Sequence, residues 1–212
     1  VVGHSQGEIA AATVIGALTL GDAARVVALR SRAIAGIAGR GGMLSVAAGL
    51  DVVERAIGAS DLSVAAVNGP RSVVVAGPRD QLDELAARLS GHRTKAIPVN
   101  YASHTAEVEQ VRDEVLAALG PIRPVSVTTT FVSTLTGEPM DTAGLDAGYW
   151  YRSLRNPVRF AQAVRAAVER QQCGLFVECS PHPVLTAAVE ETAEDAGHEV
   201  LEGDGAPQVT EG

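Results

Sequence analysis

Gly3-His4-Ser5-Gln6-Gly7-Glu8 stands at the head of the chain and runs directly into Ile9-Ala10-Ala11-Ala12. The spacing G-x-S-x-G before a helix-forming run is that of a nucleophile elbow, where a strand turns sharply into a helix. Glycines on both sides of the serine permit so tight a turn and leave the hydroxyl exposed beside the first helical amides. Ser5 is therefore the leading nucleophile candidate. The backbone N–H of Gln6, at the positive end of the helix dipole, is the natural first donor to an oxyanion. Only Val1 and Val2 precede the motif where an elbow needs a whole strand, so the chain reads as a piece of something larger.

Outward from the elbow, periodicity predicts helices over 7–19 and 22–38, with Asp22 near the start of the second as its cap. Glycines at 39, 41 and 42 break the pattern. An ordered series follows: strand 43–47, helix 51–57, strands 62–67 and 72–76, helix 79–89 and strand 95–99. That is β-α-β-β-α-β, the ferredoxin-like order, joined at its middle by the turn Asn68-Gly69-Pro70-Arg71. Residues 43–99 are expected to form a small inserted subdomain. Beyond it come a helix over 104–119, a strand over 127–133, a helix over 157–171, a buried strand over 175–179 and a helix from about Pro183. These alternate as an α/β layered domain does. The larger subdomain is thus assigned to 1–42 and 100–192, and 193–212 to an irregular tail.

At 46% hydrophobic and 20% charged residues, the 212-residue chain is globular in composition. Aromatics at 3% leave Ala, Val and Leu to build most of the core. A net charge of −8 with no basic run argues against a nucleic-acid surface, so any anionic ligand is met by local arginines. Lys95 is the only lysine among 17 basic residues, which with the Ala and Val excess indicates a GC-rich, bacterial coding sequence. There is no signal-like start and no apolar run of about 18 residues, so neither secretion nor membrane spanning is indicated and a cytoplasmic location is expected. Cys173 and Cys179 are too few and too poorly spaced for zinc and are expected to be buried, reduced thiols. No clustered ligand spacing, P-loop or dinucleotide spacing is present, so no metal, nucleotide or redox cofactor is expected.

A nucleophilic serine needs a base. His104 closes Tyr101-Ala102-Ser103-His104, where the inserted subdomain returns the chain to the larger one, a junction that places a side chain in the cleft between them. His182, in Ser180-Pro181-His182-Pro183, lies in a later strand-to-helix loop and competes with it.

Taken together, Gly3 to Glu8, Arg30, Val67-Asn68-Gly69-Pro70, Tyr101 to His104, Tyr149-Trp150-Tyr151-Arg152, Arg155-Asn156-Pro157-Val158 and Ser180 to Pro183 resemble the acyltransferase domain of modular type I polyketide synthases, from residue 1 to about 192. The resemblance implies an α/β-hydrolase-like larger subdomain carrying the ferredoxin-like insertion. It makes Ser5 the residue acylated by an acyl-CoA extender unit and His104 its general base and later general acid. The imidazole would be oriented by a main-chain carbonyl, that of Ser153, where related chains often carry asparagine. Arg30, 25 positions after Ser5, would hold the free carboxylate of a malonyl-type unit, a task for which a guanidinium fork has the right geometry.

Extender choice is carried in the family by two segments. Tyr-Ala-Ser-His with glutamine after the nucleophile goes with methylmalonyl units, and His-Ala-Phe-His with an aliphatic residue goes with malonyl units. Gln6, Tyr101, Ala102 and Ser103 match the methylmalonyl pattern, and a small Ser103 leaves room for an α-methyl branch. One methyl is worth only about 1–3 kcal/mol of discrimination, so leakage to malonyl is expected and ethylmalonyl stays open. CoA thioester is then a substrate, no cofactor is required, and the acceptor is the phosphopantetheine arm of an acyl carrier protein. A ketosynthase domain and its linker would be the neighbours in the parent synthase. The family's second oxyanion donor comes from a segment upstream of the elbow, so an isolated chain starting at Val1 is expected to be poorly stable and slow. Two rivals remain. A serine hydrolase or thioesterase would use Ser5, Asp141 or Asp146, and His182, and a catalytically inert fragment would leave Ser5 unacylated.

Overall fold

The computed structural model describes residues 1–39 and 41–198; Arg40 and 199–212, which include most of the expected tail, lie outside the described residues. Helix α1 (Gly7–Val14) follows the elbow, and α2 (Leu20–Ala35) packs against it. The first helix stops well short of residue 19. Gly16 adopts φ 81°, and the amides of Ala17 and Leu18 turn back onto Ala12 O, closing the helix as a glycine in the left-handed region does. The cap of α2 is Thr19, whose hydroxyl accepts from Asp22 N, and not Asp22 itself.

The middle of the chain forms β1 (Gly42–Val46), α3 (Leu50–Ile57), β2 (Ser63–Gly69), β3 (Ser72–Gly77), α4 (Arg79–Arg88) and β4 (Thr94–Ile97). All pairings are antiparallel in the order β2-β3-β1-β4, the ferredoxin-like sheet read from the sequence. The run Val73-Val74-Val75-Ala76 in β3 is continuous rather than alternating because both faces of the strand are covered. Val73 and Val75 meet Leu44, Val46, Val53, Leu82 and Leu85 on the side of α3 and α4. Val74 and Ala76 face the opposite way, towards Ala102, Val158, Phe160 and Val164.

After the sheet come α5 (Arg112–Leu119), β5 (Phe131–Ser133), β6 (Glu138–Met140), α6 (Ala147–Arg155), α7 (Phe160–Glu169) and α8 (Thr186–Asp195). Val2 bridges in parallel to Val132, so the residues before the elbow lie beside β5. Five further expectations need correction. His104 starts no helix: it sits at φ 62°, and a 3-10 turn over Ala106–Val111, capped by Thr105, precedes α5. The strand expected over 127–133 is confined to β5. Residues 157–158 join no helix, because Val158 exchanges backbone hydrogen bonds with Ala65 and Val67 at the edge of β2. The buried strand expected over 175–179 is absent. No strand among the described residues runs beside it to take its backbone bonds, and Leu175 and Val177 are 82% and 76% exposed. Cys173 and Cys179 are exposed free thiols for the same reason.

Glu178, in that irregular stretch, caps the end of the loop leading into α8. Its carboxylate accepts from the amides of Val184, Leu185 and Thr186 at 3.0–3.1 Å, and from the hydroxyls of Thr186 and Ser180. Partial burial works to raise its pKa, but the hydrogen bonds from Val184, Ser180, Leu185 and Thr186 outweigh this and bring it down to about 2. A folded pKa below the unfolded one stabilises the protein above the ordinary carboxylate range and stops doing so as pH falls towards 2. Glu178→Gln is therefore expected to cost about 1 kcal/mol at neutral pH. Thermal unfolding followed by circular dichroism should show the gap to wild type narrowing as pH falls from the ordinary carboxylate range towards about 2; a gap independent of pH would contradict the capping role.

Among the described residues no helix is long and apolar enough to cross a membrane.

Candidate active site

The elbow is sterically committed. A Cβ on Gly3 would lie 2.3 Å from Glu8 N and 2.4 Å from Glu8 Cα, so only glycine lets the entering chain pass the first turn of α1 so closely. Ser5 is held at φ 52°, in the left-handed region. Three described non-glycine residues have positive φ, and two of them are Ser5 and His104. Such strain gathers where a site needs a particular side-chain direction. Gln6 begins the helical turn, and its backbone N–H heads α1.

The two residues meet. Ser5 Oγ lies 3.0 Å from His104 Nε2. On the far side of the ring, Nδ1–H donates to Asn156 O at 2.7 Å, which leaves the Nε2 lone pair facing the serine. The acceptor expected there was Ser153 O. That carbonyl does act on the ring, but as a lesser influence. Where α6 ends, at Asn156, the backbone turns extended and aims the Asn156 carbonyl at the imidazole. The Ser153 hydroxyl points elsewhere, to Glu8. Burial, reinforced by the charge of Arg30, pulls the His104 pKa down to about 4, with the Asn156 carbonyl opposing. The imidazole is therefore neutral and able to accept a proton at neutral pH.

Arg30 reaches the dyad from α2. Nη2 lies 3.3 Å from Ser5 Oγ, while Nε and Nη1 are buried without a hydrogen-bond partner. Burial lowers its pKa, and Tyr101 and Glu8 partly offset this. A buried guanidinium with unpaired donors is costly unless something anionic completes it. Tyr101 is half-buried beside it, Ala102 packs on Gly41, and the Ser103 hydroxyl is buried against Met43 Sδ. An open groove of about 530 Å³ lined by Arg79, the 96–100 segment and Tyr101 adjoins the site at Tyr101, not at the dyad.

Two contacts escaped the sequence reading. His4 Nε2 bonds Asn68 Oδ1 at 2.8 Å, tying the elbow to β2, and its ring stands edge-on to Phe160. Glu8 is fully buried. The signal for Glu8 was present as an acid in the first turn of an otherwise apolar helix. The rival hydrolase triad does not assemble. His182 is exposed, Asp141 accepts from Ser126 Oγ and Ala143 N, and Asp146 caps α6.

Comparison with known proteins identifies the family. The family model described as the acyl transferase domain matches residues 1–209. An erythronolide synthase of Saccharopolyspora erythraea is 54% identical over 204 residues, covering 94% of this chain and 6% of that protein. The mycoketide-CoA synthase of Mycobacterium tuberculosis is 54% identical over 196 residues, covering 91% and 5%. The chain belongs to the acyltransferase domains of modular polyketide synthases. Among solved acyltransferases, the domain from module 8 of the salinomycin synthase superposes with TM-score 0.89 at 51% identity, covering 94% of this chain and 48% of that one. The acyltransferase domain of SpnD, solved in complex with 2-(pent-4-yn-1-yl)malonyl, superposes with TM-score 0.85 at 31% identity over 94% of this chain and 49% of that one. This acyltransferase chain thus spans about half the length of these solved acyltransferases and a small part of the synthases it matches.

Proposed function

We propose that the chain transfers a methylmalonyl unit from CoA to the phosphopantetheine thiol of an acyl carrier protein through a Ser5 ester. The observation that carries this reading is the 3.0 Å Ser5–His104 contact with the unpaired Nε and Nη1 of Arg30 beside it. Neutral His104 takes the Ser5 proton at Nε2 as Oγ attacks the thioester carbonyl, and the Gln6 N–H donates to the developing oxyanion. The C–S bond breaks, and His104 returns the proton to the CoA thiolate. In the second half His104 deprotonates the carrier thiol, the thiolate attacks the ester, and Ser5 leaves with the proton. The chemistry calls for no metal or redox cofactor.

Arg30 would hold the substrate's free carboxylate through a guanidinium fork that pairs Nη2 with one of the unpartnered donors Nε or Nη1, fixing the thioester over Ser5. The preference for methylmalonyl rests on Tyr101, Ala102, Ser103 and Gln6. The SpnD domain, solved with a malonyl group substituted at carbon 2, supports room for an α-branch in this fold. The neighbouring ketosynthase and linker belong to the same reading.

The test is intact-protein mass spectrometry of the chain and of Ser5→Ala after incubation with methylmalonyl-CoA and malonyl-CoA in competition. A methylmalonyl adduct in excess over malonyl, lost in the alanine variant, is expected. An adduct retained by Ser5→Ala would remove the nucleophile assignment, and a malonyl excess would remove the extender assignment alone.

A further inference from the structure

The first turn of α1 hides a carboxylate that the transfer chemistry does not use. Glu8 is 0% exposed, and among the described residues no lysine or arginine forms an ion pair with it. Its direct partners are hydrogen-bond donors, and the charge of Arg30 acts on it without an ion-pair contact. Thr134 N donates to Oε1 at 2.6 Å, Tyr149 Oη lies 2.9 Å from both oxygens, and Ser153 Oγ donates to Oε2 at 3.3 Å. Thr134 N can only donate, and the two hydroxyls, of which Tyr149 Oη also lies 2.7 Å from Ser133 Oγ, complete a cluster that holds Glu8 through both of its oxygens. Burial raises its pKa, and the bonds from Thr134, Tyr149 and Ser153 work against that.

The donors come from two places that matter to the dyad. Thr134 follows β5, and its hydroxyl also bonds Gly3 O at 3.0 Å, so it grips the elbow before and after Ser5. Tyr149 and Ser153 lie one turn apart on α6. Immediately beyond them α6 presents Leu154 O to the backbone N–H of His104 at 2.9 Å and Asn156 O to its Nδ1. His104 is therefore anchored to the end of α6, and Ser5 to the start of α1. The 3.0 Å between Oγ and Nε2 is set by how these two helices lie against each other. Ile9 and Ala12 share one buried apolar cluster with Tyr149 and Leu154, but apolar packing of that kind permits sliding. The directional bonds fix the register.

We infer that Glu8 is a positioning residue that locks the nucleophile's helix to the helix holding the catalytic base. The inference rests on the Ser5–His104 reading above. A shift of α6 would first release His104 from Asn156 O, loosening both the tautomer and the burial of the ring.

Glu8→Gln tests this, because it keeps the shape but removes the charge and one of the two oxygens through which the carboxylate is held. Histidine-labelled NMR of the 212-residue chain reads the His104 tautomer and titration, and a fluorophosphonate probe reads Ser5 reactivity without any acyl substrate. Wild-type His104 is expected to hold a proton on Nδ1 alone and to titrate near 4. In the folded variant both tautomers should be populated, the titration should move up towards 6.5, and labelling of Ser5 should slow on the order of 10²-fold. Arg30 and His4, the charged or titratable groups acting on the ring, are left in place, so such a change reports the clamp. A folded variant with lower thermal stability but unaltered His104 tautomer and titration would overturn the inference. If Glu8→Gln does not fold, Tyr149→Phe with Ser153→Ala cuts the arm to α6, together with the Tyr149–Ser133 hydroxyl contact, and the same criterion applies. A wild-type Ser5 unreactive to the probe would fail the dyad reading, while the His104 comparison would still decide the role of Glu8.

Discussion

His104→Ala is expected to slow acylation of Ser5 by a factor of about 10²–10⁴, the usual contribution of a positioned general base. A serine hydroxyl is a weak nucleophile unless its proton has somewhere to go, and the imidazole 3.0 Å away is the acceptor in contact with it. What survives is the oxyanion stabilisation by the head of α1. His182→Ala should leave the rate unchanged, since that side chain is exposed in the loop before α8. The pH profile adds an independent signature. A base works in its neutral form, so wild-type activity should persist as pH falls from neutrality and fail only as it passes through about 4. The alanine variant should lack this acid limb. The same depressed pKa has a cost in stability: between 6.5 and about 4 the unfolded chain binds a proton that the folded chain refuses, so stability falls as pH drops through that interval. Initial rates of adduct formation by mass spectrometry, taken across this range for wild type and both variants, decide the matter. Equal rates in His104→Ala and wild type would remove the histidine from the mechanism.

The parts of the fold that the sequence declared are those built from local signals. The elbow follows from glycine spacing, and the βαββαβ unit from alternating Val and Ala runs separated by Asn-Gly-Pro and Gly-Pro turns. Partnership across the chain was less visible. Residues 175–179 have the composition of a buried strand, but composition supplies no neighbour, and among the described residues none pairs with them. His104 lies in a stretch that is helical by pattern, yet its amide is taken by Leu154 O and its φ is positive. The pairing of Ser5 with His104 was legible through the resemblance. The identity of the orienting carbonyl was not, because Ser153 and Asn156 stand three residues apart at a helix end and only the backbone turn at Asn156 decides between them. Glu8 went unread for a similar reason. Its three donors lie 126, 141 and 145 positions away, and no local pattern announces them.

Arg30→Ala is expected to separate binding of the substrate's carboxylate from the acyl-transfer machinery. Removing one member of a buried charge pair costs about 2–5 kcal/mol. At roughly 1.4 kcal/mol per factor of ten, that is on the order of 30-fold to 5,000-fold in acylation by methylmalonyl-CoA or malonyl-CoA. Propionyl-CoA has the same branch but no free carboxylate, so it should lose far less, and the ratio of the two rates isolates the contribution of the guanidinium. Arg30→Lys should fall close to the alanine variant in that ratio, because an ammonium cannot reproduce the planar guanidinium fork that makes two parallel bonds to a carboxylate. The two substitutions should differ in pH dependence. Arg30 lowers the His104 pKa by its charge, so alanine should move the acid limb up from about 4 while lysine should leave it nearer that value. An equal loss for methylmalonyl-CoA and propionyl-CoA, with the acid limb unmoved, would mean that Arg30 serves the fold around Ser5 and takes no part in selecting the extender unit.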